Sequence, residues 1–176
     1  MKLYRIFEEI KDRLYAAAYD DTKTNILTIL QDNWSDVYWL DQFFKKHLQD
    51  LQSDIFGNIS IEQAIEQTID EADELFIRLK GNKGANLETL FRPLHNLEYE
   101  IRDFQEHKAK GHNHISWLRI YAIHFYDQYV ITGGTIKLTR HMQERNHTQL
   151  ELDKLNMVSM ALKLNEAEDM FVCLNI

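Results

Sequence analysis

The chain has 176 residues, 44% of them hydrophobic, with three Trp, eight Tyr, nine Phe and a formal net charge of −8. The length predicts a single domain over residues 1–176, and the composition excludes disorder and supplies enough apolar material for one packed core. The one cysteine, Cys173, can form no internal disulfide, so a reducing, cytoplasmic setting is expected, with the thiol buried or half-buried. No run approaches the roughly 20 apolar residues of a membrane span, and the first residues lack the apolar core of a secretion signal, so no membrane association is expected.

In chain order, Leu3–Ile10 and Arg13–Tyr19 read as the strands of a hairpin turning at Lys11-Asp12, although the Ala16–Ala18 run is equally compatible with helix. Ile26, Leu27 and Leu30 predict a short helix over Thr24–Asp32. Ser35 is then expected to cap a longer helix whose apolar face is Val37, Leu40, Phe43, Phe44, Leu48 and Leu51. Ser60 and Gln63 have the spacing of a capping box, in which each side chain satisfies a free amide of the other residue. The helix they open presents Ile61, Ala64, Ile65, Thr68, Ile69, Ala72, Phe76 and Leu79 on one face. Glu62, Glu66, Asp70, Asp73 and Glu74 lie mostly on the other and read as a solvated acidic surface. Gly81 to Gly84 ends it. One more helical turn is expected over Asn86–Phe91, with Pro93 breaking it and opening an irregular segment to about Asn113.

The strongest strand pattern is Ile115–Phe125, followed by a turn at Tyr126–Gln128 and a second strand from Tyr129 to Thr132. Gly133-Gly134 interrupts that strand, which signals a bulge or a close backbone approach, with the strand resuming over Thr135–Leu138. Thr148 and Glu151 have capping-box spacing and predict a helix to about Leu164. Residues 165–176 are a tail, with a short strand at Met170–Val172. The class is therefore α+β: an N-terminal β-hairpin (within 1–85), a helical layer, a C-terminal antiparallel sheet and final helix (86–164), and the tail.

Charge is unevenly spread. From Lys108 to His147 the basic residues Lys108, Lys110, Arg119, Lys137, Arg140 and Arg145 face only Asp127 and Glu144, a local +4 on an acidic chain. There is no phosphate-binding glycine loop, nucleophile elbow or zinc-type cysteine pair, so no cofactor is expected. His107, His112 and His114 could contribute to a zinc site, but their polar surroundings favour solvated loop histidines, and no metal site is expected. Cleaving RNA without a metal requires activating a 2′-hydroxyl, stabilising a crowded phosphate and protonating a leaving oxygen. Arg119, Tyr121, Lys137, Arg140 and His141 supply side chains of those kinds, and Lys108, Lys110, Arg145 and His147 are candidates for holding RNA. The plainer reading makes them ordinary surface cations, with Tyr121 partly in the core.

Phe91-Arg92-Pro93-Leu94, Leu118–Ile123 and Tyr129–Leu138, followed by a polar stretch and the helix opening at Thr148, resemble the RelE/HigB-like toxins of the RelE/ParE superfamily. The resemblance covers the chain from about Leu90 onward and implies a small helix-plus-antiparallel-sheet fold. It also implies either ribosome-dependent mRNA cleavage or gyrase inhibition, neutralised by a cognate antitoxin. By that likeness Arg119 would be the strand arginine near the scissile phosphate, Lys137 the turn lysine, and Arg140 and His141 residues of the active edge. The chain departs from the pattern in its extra N-terminal hairpin, long acidic helix and negative charge, in Gly133-Gly134, and in lacking a proline before the final helix. The expectation is a toxin-like component of a toxin–antitoxin or phage-defence system, a metal-independent endonuclease acting on mRNA at the ribosome. The alternative is a non-catalytic protein-interaction domain of the same fold. Clustering of Arg119, Lys137 and Arg140 in an open groove favours the first; their dispersal, or pairing with Asp and Glu, favours the second.

Overall fold

The computed structural model describes residues 1–85, 87–95, 98–101 and 116–165. His107, His112, His114, Lys108, Lys110, Cys173 and the Met170–Val172 strand therefore lie outside the described residues. The expected hairpin is Leu3–Ile10 (β1) with Leu14–Tyr19 (β2), paired antiparallel, and Asp12 takes a left-handed φ of 56° at its turn. Ile26–Ser35 (α1) follows, its N-terminus closed by Asn25, whose side chain accepts from the Thr28 amide at 3.1 Å. Val37–Lys46 (α2) and Leu48–Leu51 (α3) come next. Asp36, not Ser35, caps α2: its carboxylate accepts from the Tyr38 and Trp39 amides, while the Ser35 hydroxyl donates back to Gln31 O at 2.8 Å. Ile61–Lys80 (α4) opens on the expected Ser60/Gln63 capping box.

After the single turn Leu87–Leu90 (α5), the chain runs into Phe91–His95 (β3) and Glu98–Ile101 (β4), where an irregular segment was expected. Pro93 is tolerated because β3 is the edge of the sheet, where a residue without an N–H need pair on one side only. Leu118–Phe125 (β5) and Gln128–Ile136 (β6) make the second hairpin, and Asn146–Asn165 (α6) closes the described chain. No helix among the described residues is long and apolar enough to cross a membrane.

The fold is α+β, built on one six-stranded sheet of order β1-β2-β6-β5-β4-β3. All neighbours are antiparallel except β2 and β6, which run parallel with Leu14–Ala16 beside Tyr129–Ile131. The N-terminal hairpin and the C-terminal strands thus join a single sheet, with β6 inserted at its centre. A strand in that position is covered on both faces, and every β6 residue from Tyr129 to Ile136 is buried.

The two faces are read from the paired glycines. A Cβ at Gly134 would meet Leu30 of α1 at 2.6 Å and the Arg119 carbonyl at 2.8 Å, whereas one at Gly133 would overlap the Glu151 carboxylate of α6. Successive strand residues point to opposite faces, so α1 and α6 sandwich the sheet, and the helices form two layers rather than one. The glycines allow close approach on both sides without interrupting β6. The register shift falls beside them, between Tyr121 and Ala122 of β5.

On the α1 side, α4 is tied to the start of β5 by polar bonds inside the core. Trp117 Nε1 donates to Thr68 Oγ1 at 2.9 Å, and Ser116 Oγ donates to Glu71 Oε2 at 2.8 Å. On the α6 side, Glu151 accepts from Lys154 Nζ at 2.7 Å, and that ammonium lies 5.7 Å from the centre of the Tyr19 ring. The Tyr19 hydroxyl donates to Thr132 O at 2.6 Å. Burial raises the pKa values of both Tyr19 and Glu151; Lys154 opposes this for Glu151, whose charge in turn raises Tyr19 further. The second Glu151 oxygen lies over Gly133 with no hydrogen bond of normal geometry. Glu151 is therefore not half of a capping box. Thr148 is buried too, its hydroxyl donating to Met142 O and to Arg145 O, and the helix begins two residues earlier than expected.

Two outcomes follow from this packing. Gly134→Ala should cost about 1–3 kcal/mol in denaturant unfolding, since the Arg119 carbonyl cannot retreat without distorting the ladder. Glu151→Met or Lys154→Met alone strands a buried charge and should destabilise more than the double substitution, which removes both charges together.

Candidate functional site

The chain leaves the sheet at the end of β6 and is folded over by its own polar bonds before it enters α6. The Lys137 amide donates to Trp117 O at 2.8 Å, holding the strand end to the residue before β5. Lys137 Nζ then donates to Arg140 O at 3.0 Å, and Thr139 Oγ1 donates to His141 O at 3.0 Å. The His141 amide donates to Glu144 Oε1 at 2.6 Å, bracing a short 3-10 turn over Met142–Glu144. This corner carries the Arg140 and His141 side chains exposed, with Lys137 half-buried at its base.

Arg119 pairs with Thr135 across the β5–β6 ladder, on the same sheet face as Tyr121 and, by alternation, Lys137. Its guanidinium is turned along its own strand, Nη1 donating to Leu118 O at 2.7 Å and Ser116 O at 3.1 Å. Tyr121 is fully buried, and its hydroxyl contacts the Met142 sulfur at 3.0 Å. It supports the turn from beneath. The structure therefore brings Lys137, Arg140 and His141 together at one corner, sets Arg119 beside them within the sheet, and places Tyr121 in the core.

Arg145 and His147 face the other way, toward α2 and α3. Arg145 grips Asp50 through two nitrogens, Nε reaching Oδ2 at 2.8 Å. His147 Nε2 lies 3.2 Å from Ile136 O, and its ring is 4.6 Å from the His47 ring and 5.4 Å from Phe43. Asp50 Oδ2 is 3.6 Å from His47 Nδ1, within ion-pairing range once that ring is protonated. Phe43 stacks on Trp39 at 5.5 Å, so a half-buried row of rings runs along α2 to the base of the corner. Lys46 stands exposed beside it.

His47 and Asp50 were not singled out in the sequence. They are a local i, i+3 pair after an amphipathic helix, but their partners lie about a hundred residues away, and nothing local signals that. Burial lowers the pKa of both histidines. For His47 the neighbouring His147 lowers it further while Asp50 opposes; for His147 the Ile136 carbonyl opposes. The Arg145 hydrogen bond holds Asp50 below the usual carboxylate range. Among the described residues no group of His, Cys, Asp and Glu has the arrangement of a metal site. Chemically, the corner offers cationic donors for an anion and one exposed imidazole, beside a clasp that fixes its position. Comparisons with protein-family models, with curated proteins and with solved structures found no match.

The clasp sets a pH dependence. Histidines whose folded pKa is lowered bind fewer protons folded than unfolded, so their contribution is complete above about pH 6.5 and is lost as pH falls through the folded values. Asp50, also lowered, adds a loss at more acid pH, whereas Glu151, raised, works in the opposite sense as pH rises. Urea midpoints should therefore fall between about pH 7 and pH 5, and a His47→Phe/His147→Leu variant should fall less. Parallel profiles for the two proteins would contradict this reading of the clasp.

Proposed function

We propose that the chain is a toxin-like module that engages RNA through the corner formed by Lys137, Arg140 and His141. What supports this most is the exposure of Arg140 and His141 on a loop braced by its own hydrogen bonds, on a chain whose net charge is −8. Phosphate binding requires cations held where the backbone can reach them, and a braced loop loses little freedom on binding. The half-buried row of Trp39, Phe43, His47 and His147 beside it supplies aromatic rings of the sort on which single-stranded RNA bases stack.

If the corner also cleaves, Arg140 and Lys137 neutralise the phosphate, and His141, whose imidazole is exposed at the corner, is the proton-transfer group. Tyr121 and Arg119 then act from beneath as positioning residues. In this role the protein works in the cytoplasm on ribosome-bound mRNA, and a cognate antitoxin covers the corner. The second reading, a non-catalytic protein-interaction domain, draws on one observation: Arg145 is paired with Asp50 and the Arg119 guanidinium with main-chain carbonyls, so two of the expected RNA-directed cations serve the fold.

Induced expression of the native chain should arrest growth and create new transcript ends. Arg140→Ala/His141→Ala, which removes only exposed side chains, should restore growth at equal protein level. Arrest that persists in the double variant would exclude the corner, and intact growth with the native chain would leave the interaction reading.

A further inference from the structure

Two elements depart from their expected burial at the same place. Val37 opens the apolar face of α2 yet is 58% exposed. On α4, the buried face is Ala64, Thr68, Glu71, Ala72, Leu75, Phe76 and Leu79. Ile65 and Ile69, expected on that face, are only half-buried at its border. The helix is rotated enough to place Glu71 inside, against Ser116, and to leave these isoleucines toward α2.

The result is an open groove of about 370 Å³ lined by Val37, Ile65 and Ile69 with Glu62, Glu66 and Asp70. The isoleucines are four residues apart, so they stack along one stripe of α4, and the three carboxylates follow the same four-residue step beside it. No basic residue lines the groove. Lys45, whose charge reaches Glu62, is held by Asp41 at 2.7 Å.

We propose that this groove docks a cationic amphipathic helix of a partner protein. An apolar stripe with a one-turn repeat matches the i, i+4 anchors by which a helix lies in a groove. The unbalanced carboxylates select lysine or arginine on the flanks of that helix and reject nucleic acid and anionic lipid. The site lies on α2 and α4, whereas the RNA corner is carried by the β6–α6 connection, so it does not depend on the RNA reading.

The probe is a fluorescent Leu/Lys amphipathic helix of about five turns, with a Leu/Glu helix of the same length as control. The intact chain should bind the Leu/Lys helix saturably and at least about tenfold more tightly than the control. Glu66→Lys/Asp70→Lys should weaken it about tenfold, and hydrogen exchange should slow around Val37, Ile65 and Ile69. Both substituted residues are exposed, and a circular dichroism spectrum matching that of the native chain would show that the fold is kept. Equal binding of both helices, binding indifferent to the charge reversal, or protection elsewhere would overturn the proposal. So would self-association of the free chain that the same charge reversal abolishes, because the occupant would then be a second copy. RNA binding by the charge-reversed variant separates the two sites: it should not be weakened.

Discussion

Everything else in the structure depends on β6 lying between β2 and β5 with a helix against each face. That position requires a strand with no side chain at two successive residues, because the Leu30 methyls and the Arg119 carbonyl occupy one side of Gly134 and the Glu151 carboxylate occupies the other side at Gly133. It also joins the first and last parts of the chain. The parallel pairing of Leu14–Ala16 with Tyr129–Ile131 makes the N-terminal hairpin an extension of the C-terminal sheet. Parallel neighbours need a long connection, and α1 to α5 with the β3–β5 strands supply it.

The same insertion sets where the candidate corner lies. The connection that leaves β6 carries Lys137, Arg140 and His141, the last two with exposed side chains. The neighbouring Arg145–Asp50 pair and the His47–His147 contact fasten the exit to α2 and α3. An exposed Arg–carboxylate pair contributes little stability by itself. Its effect here is to hold a loop in one position.

Much of the fold was legible because it is local. The hairpin, the Ser60/Gln63 box and the β5 pattern rest on neighbours within a few residues, and Gly133-Gly134 signalled a close approach by composition alone, though the groups that approach, Leu30, Arg119 and Glu151, are not local. The failures are long-range or depend on the sheet edge. Pro93 read as a break because its place at the edge is a property of the whole sheet. Thr148 and Glu151 fitted a capping box by spacing alone, yet Glu151 turns inward to meet Lys154 and the glycines. At the site, Lys137, Arg140 and His141 were legible as a cluster of basic residues after a strand. The diversion of Arg145 and His147 was not, because Asp50 and His47 are distant in sequence. The rotation of α4 that buries Glu71 and leaves Ile65 and Ile69 half-buried goes with a bond to Ser116, which helical periodicity does not contain.

Charge separates the two surfaces. The acidic outer side of α4 and the cationic exit of β6 favour opposite kinds of ligand, and a net charge of −8 gives the chain as a whole no general attraction for RNA. The most direct measurement is the affinity of the purified chain for single-stranded RNA as a function of salt, for the native protein and for Arg140→Ala. Binding that weakens with salt, with a slope shallower by about 0.7 in the variant for one lost phosphate contact, is the predicted result. No binding at low salt, or a slope unchanged by the substitution, would contradict the corner as the RNA site.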